Sequence, residues 1–129
     1  MPARLHHTIV HASDNVAAAA FLARILGLRA PTGRGPLQRV RVANDVTLEY
    51  AQAVEFAPQH HAFLLTEDEF DAAYARILDE RARYWADPGR TRPAEIDHRH
   101  HHGGRGLCVE DPDGNLIEVL TRPAGSEKD

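Results

Sequence analysis

Two hydrophobic rhythms alternate along the chain, and the pair occurs twice. Leu5 to His11 alternates through β-rich residues and predicts a strand. Phe21, Ile25 and Leu28 then fall at i, i+4 and i+7, with Ala18 and Leu22 beside them, which predicts a helix. Ser13 or Asp14 caps that helix, and Gly27 ends it. Leu37 to Ala43 and Val46 to Ala51 predict two strands joined by an Asn44-Asp45 turn. Ala53 to Pro58 reads as a connector.

The same order follows in the second half. Ala62 to Leu65 predicts a strand. Thr66 and Glu69 form a capping box ahead of a helix whose apolar stripe is Phe70, Ala73, Tyr74, Ile77 and Leu78. Tyr84 to Ala86 starts a short strand, and "DPGRTRP" is loop. Gly106 to Glu110 and Asn115 to Thr121 predict strands flanking the "DPDG" turn. The tail "AGSEKD" is expected to be disordered.

The residues repeat as well as the rhythm. "HHTIVHASDNVAAAAFLARIL" from His6 resembles "HHAFLLTEDEFDAAYARIL" from His60. "NDVTLEYA" from Asn44 resembles "DGNLIEVL" from Asp113, with Glu49 and Glu118 at matching places. Two matches in the same order argue for a duplicated unit. The expectation is one domain over 1–125, with module one about 1–54, module two about 55–123, and a flexible tail 124–129.

Strand side chains alternate between faces, so only one member of each His pair can face a given side. His7 shares its face with Leu5, Ile9 and His11, and His61 with Phe63 and Leu65. Glu118 sits with Leu116 and Leu120, and Glu49 with Thr47 and Ala51. A carboxylate on a mainly apolar face is costly unless something pairs with it. Two imidazoles with one or two carboxylates can hold a first-row divalent metal and leave positions open. Taken singly, a strand His or Glu is more often structural, and Glu49 fits an ordinary edge strand equally well. The metal reading rests on four residues at equivalent repeat positions.

Composition narrows the partners. The net charge is -4, and the 14 arginines are scattered without a basic run, which gives no reason to expect nucleic acid. The single Cys108 excludes an internal disulfide and a cysteine-based zinc site. "VAAAAFLA" is too short to cross a membrane, and no secretion signal is visible, so a cytoplasmic protein is expected.

Three stretches carry a family resemblance: "LHHTIVHASDNVAAAAFLARILGL", "HHAFLLTEDEFDAAYARIL" and "GRGLCVEDPDGNLIEVLT". Together they resemble the vicinal oxygen chelate superfamily, which includes glyoxalase I, bleomycin-resistance proteins, fosfomycin-modifying enzymes and extradiol dioxygenases. The resemblance implies an α+β fold of two βαβββ modules forming a curved mixed sheet around a cavity, often completed by a homodimer partner. It makes His7, His61 and Glu118 the metal triad, and Glu49 the additional carboxylate of glyoxalase I. The implied cofactor is a divalent metal ion: Fe, Mn, Ni, Co or Zn. The implied chemistry is a metal-dependent reaction on a small oxygenated organic molecule, either glyoxalase-like isomerisation or lyase chemistry or dioxygenation. Glu118 and Glu49 are the catalytic candidates, Glu49 as fourth ligand or displaceable base. His11, Phe63, Trp85, His102 and Arg105 are the substrate-contact candidates. The alternative is a non-catalytic protein that sequesters a small molecule or antibiotic in the same cavity, against aromatic walls.

Departures from each branch limit the substrate. His11 stands where bacterial glyoxalase I has an arginine, and an expected asparagine is absent from "EYAQAVE". Ile9 and "HHHGGRG" replace the threonine and the Ser/Gly-rich potassium loop of the fosfomycin enzymes.

"EIDHRHHHGGRG" holds His98, His100, His101 and His102 and first looks like the metal site itself. However, His7 lies 42 residues before Glu49, and His61 lies 57 before Glu118. The run falls in that extra length and reads as a solvated loop, or as a lid whose histidines work near neutral pH.

Overall fold

The computed structural model describes residues 2–100 and 103–122, without the side chains of Arg99 and His100. The chain divides into two compact units, 1–59 and 60–129.

Unit one runs β1 (His7–Ala12), α1 (Asn15–Leu26), β2 (Thr32–Arg34), β3 (Leu37–Arg41) and β4 (Thr47–Gln52), a βαβββ order. Its sheet has the order β1-β4-β3-β2. β1 lies parallel to β4, because α1 carries the chain across, and the other pairs are antiparallel. The Asp14 side chain caps α1 by accepting from the Ala17 amide at 3.0 Å. Gly27 stops it in the left-handed region, at φ 69°, where its lack of a Cβ removes the penalty. Ala18, Ala19 and Ala23 are small enough to bring α1 close to the sheet, where it buries Phe21, Leu22 and Ile25 with Val10, Ala12, Val40, Leu48 and Tyr50. Buried Asn15 fixes the start of α1 by donating to the Tyr50 and Pro36 carbonyls, each at 2.9 Å.

The unit boundary lies five residues beyond the one expected from the repeat. Gln59 explains it. Its Nε2 donates to the Ile9 carbonyl at 2.9 Å and its Oε1 accepts from the His11 amide at 3.1 Å, so the connector belongs to β1.

Unit two runs β5 (His60–Leu64), α2 (Glu67–Asp79), β6 (Tyr84–Trp85), β7 (Asp97–His100), β8 (Gly104–Glu110) and β9 (Leu116–Leu120). Its sheet has the order β5-β9-β8-β6, with β7 also paired to β8. The capping box forms: Thr66 accepts from the Glu69 amide at 3.1 Å, and Glu69 from the Thr66 amide at 2.8 Å. Phe70, Ala73 and Ile77 of α2 are buried, as are Leu107, Val109, Ile117 and Val119 of the sheet. Tyr74 on α2 meets Tyr84 on β6 hydroxyl to hydroxyl at 3.2 Å. The β8–β9 turn closes on Asp111, whose carboxylate accepts from the Asp113 and Asn115 amides.

Two strands are absent from the hydrophobic pattern. β2 is three exposed residues without an apolar side chain, and β7 is the polar "DHRH". Both pair through the backbone, to β3 and β8 respectively. β7 overturns the loop expected there for the start of the histidine run. His101, His102 and the tail 124–129 lie outside the described residues. Among the described residues no helix is long and apolar enough to cross a membrane.

Candidate functional site

Strand register decides which chemistry-bearing side chains share a face. In unit one, Glu49 lies opposite Ile9 on β1 and Arg39 on β3. Alternation from those positions puts His7, His11, Thr47, Glu49 and Arg39 on the face turned away from α1. Glu49 is 5% exposed there. Its Oε1 is 4.0 Å from His7 Nε2, and its Oε2 is 3.3 Å from Arg39 Nε and 3.8 Å from Arg34 Nη1. Arg39 Nε is buried and meets no acceptor in hydrogen-bonding geometry. Behind His7, the Nδ1 atoms of His6 and His7 are 3.0 Å apart, which leaves His7 Nε2 turned toward Glu49.

In unit two, Glu118 lies opposite Ala62 on β5 and Cys108 on β8, and Cys108 lies opposite Trp85. The face with Glu118 therefore carries His60, Ala62, Cys108 and Trp85. His60 Nε2 meets Glu118 Oε1 at 2.8 Å. Burial, with Glu118 and Asp87 nearby, pushes the Cys108 thiol up to about 12. Cys108 is thereby a poor nucleophile.

This register corrects the repeat alignment at one place. Matching His pair to His pair puts His61 in the place of His7. The register instead matches Ile9 with Ala62, so His60 takes that place. His61 lies opposite Ile117 and Phe63 opposite Val119, on the face that packs α2. Burial, and then His60 beside it, lowers the pKa of His61. Phe63 accordingly does not share the Glu118 face.

The other expected contact residues divide. His11 is exposed on the His7 face, with its ring 6.4 Å from that of Phe56. Trp85 is on the Glu118 face but only 5% exposed, with the Arg83 and Arg90 guanidiniums 5.2 and 5.1 Å from its ring. It is a packing residue with little ring left for a ligand. Arg105 is committed elsewhere: it meets Glu67 and Asp71 at 2.8 Å each and stacks 4.4 Å from the Phe70 ring. It clamps α2 onto β8. His102 lies outside the described residues.

Sequence reasoning missed His60, Arg39 and Arg34. Counting outward from Asn44 along the β3–β4 hairpin would have placed Arg39 opposite Glu49. No pattern marks Arg34.

Among the described residues, no three His, Cys, Asp or Glu side chains gather into a set that could hold a metal ion. Each unit brings together one imidazole and one carboxylate. Two ligands about 2.1 Å from one ion and at right angles are about 3 Å apart. The 2.8 Å between His60 Nε2 and Glu118 Oε1 fits that spacing. The 4.0 Å between His7 and Glu49 does not, and the arginines occupy Glu49.

Residues 4–119 match the family model described as "Glyoxalase/Bleomycin resistance protein/Dioxygenase superfamily". The solved structure of "Oxidase ChaP-H1" is similar at 48% identity and TM-score 0.91, over 97% of this chain and 100% of that one. "Oxidase ChaP-H2" is similar at 47% identity and TM-score 0.91, over 98% of this chain and 99% of that one. "Metallothiol transferase FosB" of Shouchella clausii (strain KSM-K16) is 39% identical over 62 residues, which is 48% of this chain and 37% of that protein. The chain thus spans little more than a third of that curated relative. These relatives carry the names of enzymes.

Proposed function

The chain belongs to the Glyoxalase/Bleomycin resistance protein/Dioxygenase superfamily, and on that premise we propose a divalent-metal-dependent enzyme that oxidises a small oxygenated organic molecule. In unit two the proposed ligands are His60 and Glu118; in unit one, His7. A divalent ion held by His60 and Glu118 would act as a Lewis acid toward substrate oxygens and, as Fe(II), would suit reactions with dioxygen. The residues supply the rest. Glu118 brings the negative charge, and His60 a neutral ring nitrogen. Buried Cys108 and Trp85 keep water from the floor of the Glu118 face. The Nδ1 contact with His6 holds the His7 ring, as outer partners of ligating imidazoles do. His11 offers the substrate a hydrogen-bonding imidazole on the His7 face.

The observation that carries the metal reading is the 2.8 Å separation of His60 Nε2 and Glu118 Oε1. Oxidation is favoured over isomerase or lyase chemistry by the near-half identity, over nearly the whole chain, to proteins named as oxidases. A homodimer and a small-molecule partner belong to the same proposal; sedimentation at the mass of one chain would remove the dimer from it.

The test is metal analysis of untagged protein, followed by oxygen uptake with catechols and other polyphenols beside an isomerase assay with thiol–aldehyde adducts. Near-stoichiometric Fe, Mn, Ni, Co or Zn with oxygen consumption supports the reading. Less than about a tenth of an equivalent, not restored by adding any of these ions, refutes an open transition-metal site and leaves a binding protein. Turnover of the thiol–aldehyde adduct alone replaces oxidation by isomerisation.

A further inference from the structure

Glu49 and Glu118 occupy matching positions, yet their surroundings differ in charge. Glu49 Oε2 is flanked by Arg39 at 3.3 Å and Arg34 at 3.8 Å. One carboxylate balances one guanidinium, so this cluster carries a surplus positive charge on the face of His7. The Arg34 side chain is 69% exposed, so its charge is presented outward. Arg39 Nε is buried and lacks a hydrogen-bond acceptor. The same two cations make the spot unfavourable for a second dication.

We propose that Glu49 is neither a metal ligand nor a base but a positioning residue, which holds Arg39 and Arg34 as a receptor for an anionic oxygen of the substrate. The substrate class narrows accordingly to organic anions, carboxylates or phenolates. Planar, forked guanidiniums suit such oxygens. The inference rests on the proposed function only in taking the His7 face as a substrate face.

The test titrates the untagged, metal-loaded protein with benzoate, 4-nitrophenolate and neutral benzamide, followed by NMR. Benzoate or 4-nitrophenolate should bind, with benzamide at least tenfold weaker, and the tighter anion identifies the oxygen type. Arg39→Met and Arg34→Met should each weaken the anion about tenfold or more without changing benzamide. Arg39→Lys should recover part of the loss. Arg34 is exposed, so its variant keeps the test valid if Arg39→Met fails to fold. Glu49→Gln should keep the wild-type metal content and lose anion affinity.

Equal binding of benzamide and benzoate, or anion binding untouched in Arg34→Met or in folded Arg39→Met, overturns the receptor. Loss of metal in Glu49→Gln overturns the positioning role. The His60→Ala variant separates this inference from the function on which it rests. Anion binding that survives there places the anion on the arginines, and anion binding lost with the metal places it on the ion and overturns the receptor. Metal retained in His60→Ala counts against the proposed ligands alone.

Discussion

Arg39 and Cys108 stand at the same place in the two units: each is the cross-strand partner of that unit's glutamate. In unit one the partner is a cation, and it draws Glu49, 5% exposed, into an ion pair. In unit two it is a thiol held neutral by burial, and Glu118 is left to His60 at 2.8 Å. Among the described residues Glu118 has no arginine partner. Duplication supplied two matching His–Glu pairs, and one residue opposite each glutamate separates their chemistry. A carboxylate can be a strong metal donor only where cations have not already claimed it.

The sharpest consequence of that comparison concerns Cys108. A thiol pushed up to about 12 holds roughly a thousandfold less thiolate at pH 8 than an ordinary cysteine. Native protein should therefore react with a disulfide reagent about a thousand times more slowly than urea-unfolded protein. A native rate close to the unfolded one would mean that Glu118 has an open, wet neighbour, and the contrast with Arg39 would fail.

A second consequence is unequal cost on removing the two carboxylates from metal-free protein. Glu49→Leu removes the carboxylate that both guanidiniums share and should cost about 2 kcal/mol in urea denaturation. Glu118→Leu leaves an imidazole that is 44% exposed and can turn to water, so less than about 1 kcal/mol is expected. Equal losses would erase the difference between the units.

The smallest effect concerns Arg105, which serves the fold of unit two. Arg105→Ala should lower stability by about 1 kcal/mol through lost stacking on Phe70, because its carboxylate partners are more than half exposed. Benzoate affinity and metal content should not change. A tenfold loss of either would return Arg105 to the site.

Much of this was legible in the residues. Both helices, their caps and the "DPDG" hairpin follow from local rules, because an Asp14 cap, a Gly27 stop and a Thr66–Glu69 box act within one turn of chain. β2 and β7 were not legible, since neither carries an apolar side chain and each shows itself through pairing with its neighbour strand. The candidate face was half legible. Alternation correctly requires one histidine of each pair, but "HH" reads alike on either side, and the choice between His60 and His61 depends on register against β9. Of the arginines around Glu49, Arg39 lay within reach of hairpin counting from Asn44, while Arg34 arrives from β2, which no pattern marks.

Register, rather than the matching of His pairs, is expected to select the ligand in unit two. Metal content of untagged His60→Ala and His61→Ala protein, measured side by side after equilibration with a limiting divalent ion, tests it most directly. His60→Ala should lose affinity by about 100-fold or more, while His61→Ala should stay within about threefold of the parent chain. Retention of metal by His60→Ala together with its loss from His61→Ala would give the ligand role to His61 instead.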